Sequence, residues 1–385
     1  MKRYFPSALL LLLFIPACGK NSVDIEVKNE NENYFGTRIV ELPAKGILEK
    51  VGSKYIYVKN GNGEEIPSQI THDSLLIFPC DLAVGEKMVF QVFPSDTLHR
   101  YDCVVFGDFY PKRRDDISYE NDRVGFRIYG PGTQAAGERA FGYDLFFKYT
   151  TEENIIPGLY GPETDDEVWR RVDSLRRIDK KLAEDYVNSF SYHIDHGKGM
   201  DCYAVGSTLG AGVAAILEND TIQYPWCYES AEILDNGPLR FTLALKFEEK
   251  GGIRERRIIS LDYASHLNSC KVWYEGLDKE SVIVAGFPLR DESAPVSDKE
   301  RGIIAYADPT QGDTNGKALL GIRTGMRVDS IFEKDNHILI SSTIKPGESF
   351  DYKWGFAWDK TDITTMESWK EYLNKVNLTY TVTIK

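Results

Sequence analysis

Apolar and polar residues alternate one by one along several stretches of the chain. Val124, Phe126 and Ile128 alternate with Gly125, Arg127 and Tyr129. Leu239, Phe241, Leu243, Leu245 and Phe247 alternate with Arg240, Thr242, Ala244 and Lys246. Leu378, Tyr380, Val382 and Ile384 alternate with Thr379, Thr381 and Thr383. A period of two sends successive side chains to opposite faces of a sheet. Each stretch therefore predicts a strand with one face in a core and the other toward solvent or a cleft. Shorter β-type runs come earlier, at Ile25–Val27, Arg38–Leu42, Lys54–Lys59, Glu65–Ile70, Ser74–Phe78 and Lys87–Phe93. Turn signals such as Asn60-Gly61-Asn62-Gly63 and Val84-Gly85 separate them.

Two segments keep helical spacing instead. Val168, Trp169, Val172, Leu175, Ile178, Leu182 and Tyr186 predict a helix over 166–187. Asp165 and Asp166 stand at its front, where negative charge suits the helix dipole. Met366, Trp369, Tyr372, Leu373 and Val376 predict a second over 363–375. The pattern as a whole predicts a mainly β protein. A small N-terminal β-sandwich is expected over 19–105, and a large antiparallel β domain with two helical decorations over 106–385.

The first eighteen residues break the pattern. Met1-Lys2-Arg3 is a short basic start, Ala8 to Ile15 is an unbroken apolar run, and Pro16-Ala17 precedes Cys18. The run is well short of the ~20 residues that span a bilayer. It predicts a bacterial lipoprotein signal over 1–18, with Cys18 as the lipidated first residue of the mature chain. The expected location is the periplasm or cell surface, on the outer membrane. NAD- or ATP-driven chemistry is out of place there, and extracellular polymers are natural substrates.

Composition agrees with a folded chain. A hydrophobic content of 42% in 385 residues is enough for a substantial core, which excludes a disordered protein. The net charge of −13 becomes −15 once Lys2 and Arg3 leave with the signal. No basic run exists, so nucleic acid is not an expected partner. An anionic ligand would need a local Arg cluster to overcome the acidic average. Beyond Cys18, five cysteines remain, at 80, 103, 202, 227 and 270, with no C-x-x-C pair. A thiolate zinc site is therefore not expected. At least one thiol stays free; Cys80 and Cys103, inside one small domain, could pair, but the pairing is left open. Gly210-Ala211-Gly212-Val213-Ala214-Ala215 matches a dinucleotide fingerprint, but without the βαβ context it reads as tight strand packing.

Two strings stand out as motifs. One runs from Arg113-Arg114-Asp115-Asp116 through Glu120-Asn121-Asp122-Arg123 to Gly130-Pro131, and the other is Tyr192-His193-Ile194-Asp195-His196-Gly197-Lys198-Gly199-Met200-Asp201-Cys202-Tyr203. Together they resemble a Bacteroidetes family of lipoproteins of unknown function, from about residue 106 to the end. That resemblance implies a galactose-mutarotase-like β-supersandwich and a setting in polysaccharide-utilisation loci. It supplies no catalytic residue.

Candidate chemistry comes from the residues themselves. His193 and His196 are two of only six histidines, and they lie beside Tyr192, Asp195 and Asp201. Histidine takes up protons near neutral pH, which suits a general base. A divalent metal at His193, Asp195 and His196 is conceivable, but no complete ligand set is visible, so no metal or other cofactor is expected. Glu120 or Asp122 with Asp195 would supply the carboxyl pair of a glycosidase. Arg123, Arg127 and Arg139 are candidates to hold a sugar carboxylate with a guanidinium fork, with Tyr129 beside them. For Glu138, Arg139 and Asp144 on the following hairpin, structural salt bridges are the expected role. Tyr224, Trp226 and Tyr228 could stack on sugar rings.

The expected function is a carbohydrate-active lyase or glycoside hydrolase on uronate-containing glycans. In a lyase, His193 or His196 with Tyr192 and Arg127 would carry the reaction. The expected partners are an oligosaccharide or polysaccharide and the membrane, reached through the lipid. Oligomeric state is left open. The rival from another class is a glycan-binding lipoprotein with no turnover, which needs an aromatic platform but not the histidines.

Overall fold

The computed structural model describes residues 22–385. Cys18 and the predicted signal lie outside them. The chain is mainly β, with 43% of residues in strands and 15% in helices. Every strand pairing within the sheets is antiparallel.

The large core lies between three sheets. One has eight strands, ordered Tyr228–Asn236, Arg240–Phe247, Arg254–Asp262, Leu267–Glu275, Ser349–Trp358, Lys317–Arg323, Ile303–Pro309 and Val296–Asp298. Two five-stranded sheets contribute to the same core. The first is ordered Gly199–Met200, Asp144–Lys148, Gly125–Ile128, Asp116–Glu120 and Phe106–Tyr110. The second is ordered Thr221–Gln223, Ala214–Glu218, Ser281–Pro288, His337–Ile344 and Ser330–Lys334. The alternating residues meet where the period of two sends them. Phe126 packs edge-on to Trp354 at 5.0 Å between centroids, and Tyr119 stacks on Phe241 at 4.7 Å. Phe241, Leu243, Leu245 and Phe247 are all buried in this core. Burial of such side chains is worth about 1.5–3 kcal/mol each, so it dominates the stability of the fold.

The N-terminal residues have a core of their own, formed by Ile25, Val27, Val40, Ile47, Leu76, Phe78, Phe90 and Val92 among others. It lies between a three-stranded sheet (Arg38–Pro43, Leu75–Cys80, Gln69–Ile70) and a five-stranded one. The helix Ala44–Val51 was not expected. It buries Ala44, Ile47 and Val51 at a spacing of three and four and ends at Gly52 in the left-handed conformation. The terminal strand Thr381–Ile384 departs from the expected organisation. It pairs with Val23–Lys28, Val27 opposite Val382, and so joins the N-terminal sheet and not the large domain. Its alternation fixed a strand but could not say which sheet edge it would complete. The Gln69 side chain joins the two regions: its Oε1 accepts from the Leu239 and Arg240 amides at 3.0 and 2.9 Å.

The first predicted helix is two. Asp166–Ile178 stops at Asp179, whose carboxylate accepts from the Lys181 amide at 2.7 Å and caps Lys180–Asn188. The last helix, Met366–Lys375, lays Trp369 on the eight-stranded sheet, where its indole N–H donates to the Leu320 carbonyl at 2.9 Å. Cys80 and Cys103 form no disulfide; Cys80 is buried and Cys103 exposed, and all five described cysteines are free thiols.

Candidate functional site

Arg127 sits in the middle strand of the first five-stranded sheet, directly opposite Asp144 on one neighbour and Ser118 on the other. Phe126 faces the core, so Arg127 must face outward. That outer face is not open to solvent. The segment between Lys148 and Gly199 folds back over it, and Ile155, Ile156, Tyr160 and Tyr192 form a small apolar cluster on Phe146. Arg127 is thereby sealed between two layers, with 6% of its side chain exposed.

Its charge is fully matched there. Nε donates to Asp144 at 2.9 Å, and Nη2 donates to both Asp144 and Asp201, the latter at 2.7 Å. The Tyr129 hydroxyl donates to Asp144 as well. Burial works against the charge of Arg127, but Asp144 and Asp201 outweigh it and raise its pKa well above the ordinary range. Burial pushes the Asp201 carboxyl up to about 6 against the pull of Arg127. It pushes Asp116, on the adjacent strand, up to about 6 against Arg127 and Arg113. The Asp201 Oδ1 has no hydrogen-bond partner among the described residues. Arg127 was expected to grip a sugar carboxylate; held by two acids already, it has no free fork to offer.

The second motif closes over this pair. The Asp201 amide donates to the Tyr192 carbonyl at 2.8 Å, which ties the ends of the loop. Asp195 holds its middle: its carboxylate accepts from Gly197 and Gly199 at 2.8 and 3.1 Å and from the Tyr149 hydroxyl at 2.8 Å. Only glycine fits at 199, since φ is +128° and a Cβ would lie 2.0 Å from the Phe147 carbonyl oxygen. The loop thus presents His193, whose side chain is 56% exposed. Its Nδ1 lies 3.0 Å from the Asp201 carbonyl oxygen. A carbonyl only accepts, so Nδ1 carries the proton and Nε2 is left with its lone pair. Asp201 also places a carboxylate oxygen 3.9 Å from Nδ1.

Arg113 completes the cluster. It donates to the Tyr192 hydroxyl and lies over the Tyr192 and Tyr160 rings at 5.1 and 5.5 Å. Unlike Arg127 it makes no ion pair among the described residues, and its Nε lacks a partner. Two consecutive left-handed residues, Arg114 and Asp115, follow it. Gly130 lets this turn dock, because a Cβ there would lie 2.0 Å from the Asp115 carbonyl oxygen. Glu163, half-buried at the end of the helix Ile156–Glu163, has its pKa raised by burial against Arg113 and His193.

The other expected residues stand elsewhere. Glu120 is buried in an ion pair with Lys148 at 2.8 Å, both side chains fully covered, and accepts from the Ile155 and Ile156 amides. It anchors the start of a helix and has no opening to a substrate. Asp122 is buried and accepts from the Ala264 amide at 2.7 Å. Arg123 pairs with Asp122 and Asp362, which also contacts His266, so it belongs to a contact with the eight-stranded sheet. His196 is exposed, with Nε2 3.2 Å from the Ser191 carbonyl. Arg139 is exposed and unpaired among the described residues. Trp226 lines a separate cavity. No cluster of three or more His, Cys, Asp or Glu among the described residues could hold a metal ion. At His193, Asp195 and His196 the loop uses the polar atoms on itself.

The first motif and the second therefore meet, at Arg127–Asp201 and Arg113–Tyr192. Arg113 and Glu163 border this cluster and were not among the expected residues. Arg113 opens the first motif, but nothing in the pattern separates it from its neighbours. Glu163 carried no signal.

A family model described as a domain of unknown function, DUF4861, matches residues 27–385. An uncharacterized protein, P7, of Formosa agariphila is 26% identical over 313 residues, covering 78% of this chain and 74% of the relative. Among solved structures, a glycosyl hydrolase family 38 protein from Enterococcus faecalis aligns with a TM-score of 0.51 at 8% identity, over 96% of this chain and 48% of that one. An alpha-mannosidase from Enterococcus faecalis V583 aligns with a TM-score of 0.47 at 9% identity, over 95% and 46%. The chain spans about half the length of these two structures, and the likeness is one of fold.

Proposed function

The chain belongs to the DUF4861 family, and we propose that it acts on carbohydrate, with His193 as the general base of a lyase on uronate-containing glycans. The observation that carries this reading is the His193 side chain. It is exposed, its tautomer is set by the Asp201 carbonyl, and its ring lies 4.3 Å from that of Tyr192, whose hydroxyl accepts from Arg113, a guanidinium with no ion pair among the described residues. A β-rich fold shared with a glycosyl hydrolase family 38 protein supports the carbohydrate setting.

The chemistry follows from these groups. Arg113 pairs with the uronate carboxylate and so acidifies the adjacent C–H. His193 Nε2 takes that proton. The C–H electrons form a carbon–carbon double bond, and the bond to the leaving sugar oxygen breaks. Tyr192 accepts from Arg113 through its oxygen, so its own proton is free for the leaving oxygen. Burial raises its pKa, which keeps that proton in place until then. The histidine then returns its proton to solvent and the tyrosine regains one. Hydrolysis by Glu120 or Asp122 with Asp195 has less support, because all three carboxylates are engaged in the fold. Glycan binding without turnover is favoured by one observation, the exposed ring of Trp226.

The same reading places the chain outside the cytoplasm, anchored through Cys18 to the outer membrane. The test is to incubate purified protein with uronate-rich oligosaccharides and follow absorbance and new reducing ends together. An unsaturated uronate absorbs in the ultraviolet; a hydrolysis product does not. Absorbance rising in step with reducing ends supports the lyase. Reducing ends without absorbance contradict it, as does the absence of both.

A further inference from the structure

A cavity of about 830 Å³ opens at one end of the large sandwich, between the turn Phe247–Ile253, the strand end at Tyr274 and the hairpin around Asn219. Trp226 stands on its wall with half of its surface exposed, and the Lys250 ammonium lies 4.2 Å from the ring centroid. An indole held in the open by a cation keeps its remaining surface free for an apolar ring face. Ile216, Ile253 and Leu277 supply further apolar lining. Tyr274 adds ring carbons to the lining, while its hydroxyl is buried in the core.

Charge narrows the occupant. Glu218, Glu248, Asp278 and Glu280 line the cavity against only Lys250 and Lys279. Glu255 also lines it but is bonded to the buried Arg257. An acidic rim on an acidic protein repels uronates at short range. An aromatic platform and an apolar wall, with the polar side chains of Asn219 and Gln223 among the lining, suit a ligand with apolar ring faces and many hydroxyls but no charge. We infer that this cavity binds an uncharged stretch of oligosaccharide, stacked on Trp226. The choice of a sugar rests on the carbohydrate reading above; the separate site does not depend on a lyase. Trp226 and Phe247 also wall a narrow gap of about 20 Å³ that reaches Tyr129. The Tyr129 hydroxyl receives a hydrogen bond from Arg127, so one aromatic wall links the cavity to the polar cluster.

The experiment titrates the purified protein with neutral hexasaccharides of mannose, glucose and xylose and with a hexamer of galacturonic acid, by calorimetry and tryptophan fluorescence. At least one neutral hexamer should bind and shift the fluorescence. Trp226→Ala should weaken that binding tenfold or more, Trp226→Tyr should keep most of it, and His193→Ala should leave it unchanged. Galacturonate binding should be indifferent to Trp226→Ala. The inference is overturned if no neutral hexamer binds, if Trp226→Ala changes nothing, or if galacturonate is the ligand that depends on Trp226. Failure of the ultraviolet assay with Trp226-dependent binding intact would overturn the lyase and leave this site standing.

Discussion

Arg127 and Asp201 join the two motifs of this chain through a single hydrogen-bonded ion pair of 2.7 Å, buried beneath the loop that carries His193. Asp201 thus has two duties. Its carboxylate shares Arg127 with Asp144, and its backbone carbonyl sets the tautomer of His193. In the proposed lyase, Asp201 is a positioning residue, while His193 and Arg113 are the groups a substrate would meet.

The buried pair Glu120–Lys148 is structural. Lys148→Ala should cost about 3–5 kcal/mol, because it strands Glu120 as an uncompensated buried charge. Urea denaturation measures this. Glu120→Gln should lower stability too, yet the folded fraction should keep its specific activity. A specific activity lost at full folding would instead make Glu120 catalytic.

Asp116 gives a pH signature. Its carboxyl titrates from an ordinary 3.8 to about 6 in the folded protein because of burial. Below pH 4 both states hold the proton, and above pH 6 neither does. Between them the folded state alone holds it, so this group's contribution to stability falls as pH rises. Asp116→Asn removes that dependence. Relative to the parent, the variant should gain on the order of 2 kcal/mol between pH 4 and pH 7. Denaturant midpoints across this range check it, and a constant difference would contradict it.

Tyr380 ties the chain's end to the N-terminal core. Its ring packs on Phe35 at 4.8 Å between centroids, and its hydroxyl accepts from the Leu82 amide at 3.1 Å. Tyr380→Ala should cost about 2 kcal/mol and free the strand Thr381–Ile384. Limited proteolysis should then cut near the C-terminus first. Unchanged cleavage would contradict the pairing with Val23–Lys28.

Lipidation at Cys18 is tested by fractionation. Cys18→Ala should move the protein from the detergent phase to the aqueous phase. Unchanged partitioning would rule out the anchor.

The sequence pattern revealed part of this and hid the rest for a physical reason. The period of two placed Phe126 and Phe241 in the core and Arg127 on the opposite face. It could not show that the segment from Ile155 to Tyr192 covers that face, which turned an expected ligand-binding Arg127 into a buried ion pair. Periodicity reports which side of a strand meets the core, and is silent on what lies over the other side. The same cover buried Glu120. The exposed loop position of His193 was legible because glycines flank the motif. Arg113 was not, because a pair of arginines at a turn looks the same whether or not a carboxylate answers it.

The central claim is that His193 is the base. It is tested most directly by the initial rate of ultraviolet absorbance increase on a uronate oligosaccharide, for the parent protein and His193→Ala at matched concentration. The side chain is half exposed, so the thermal midpoint should stay within a degree or two. The rate should fall at least a hundredfold, the usual worth of a positioned base. A folded His193→Ala protein that keeps the parent rate would contradict the claim.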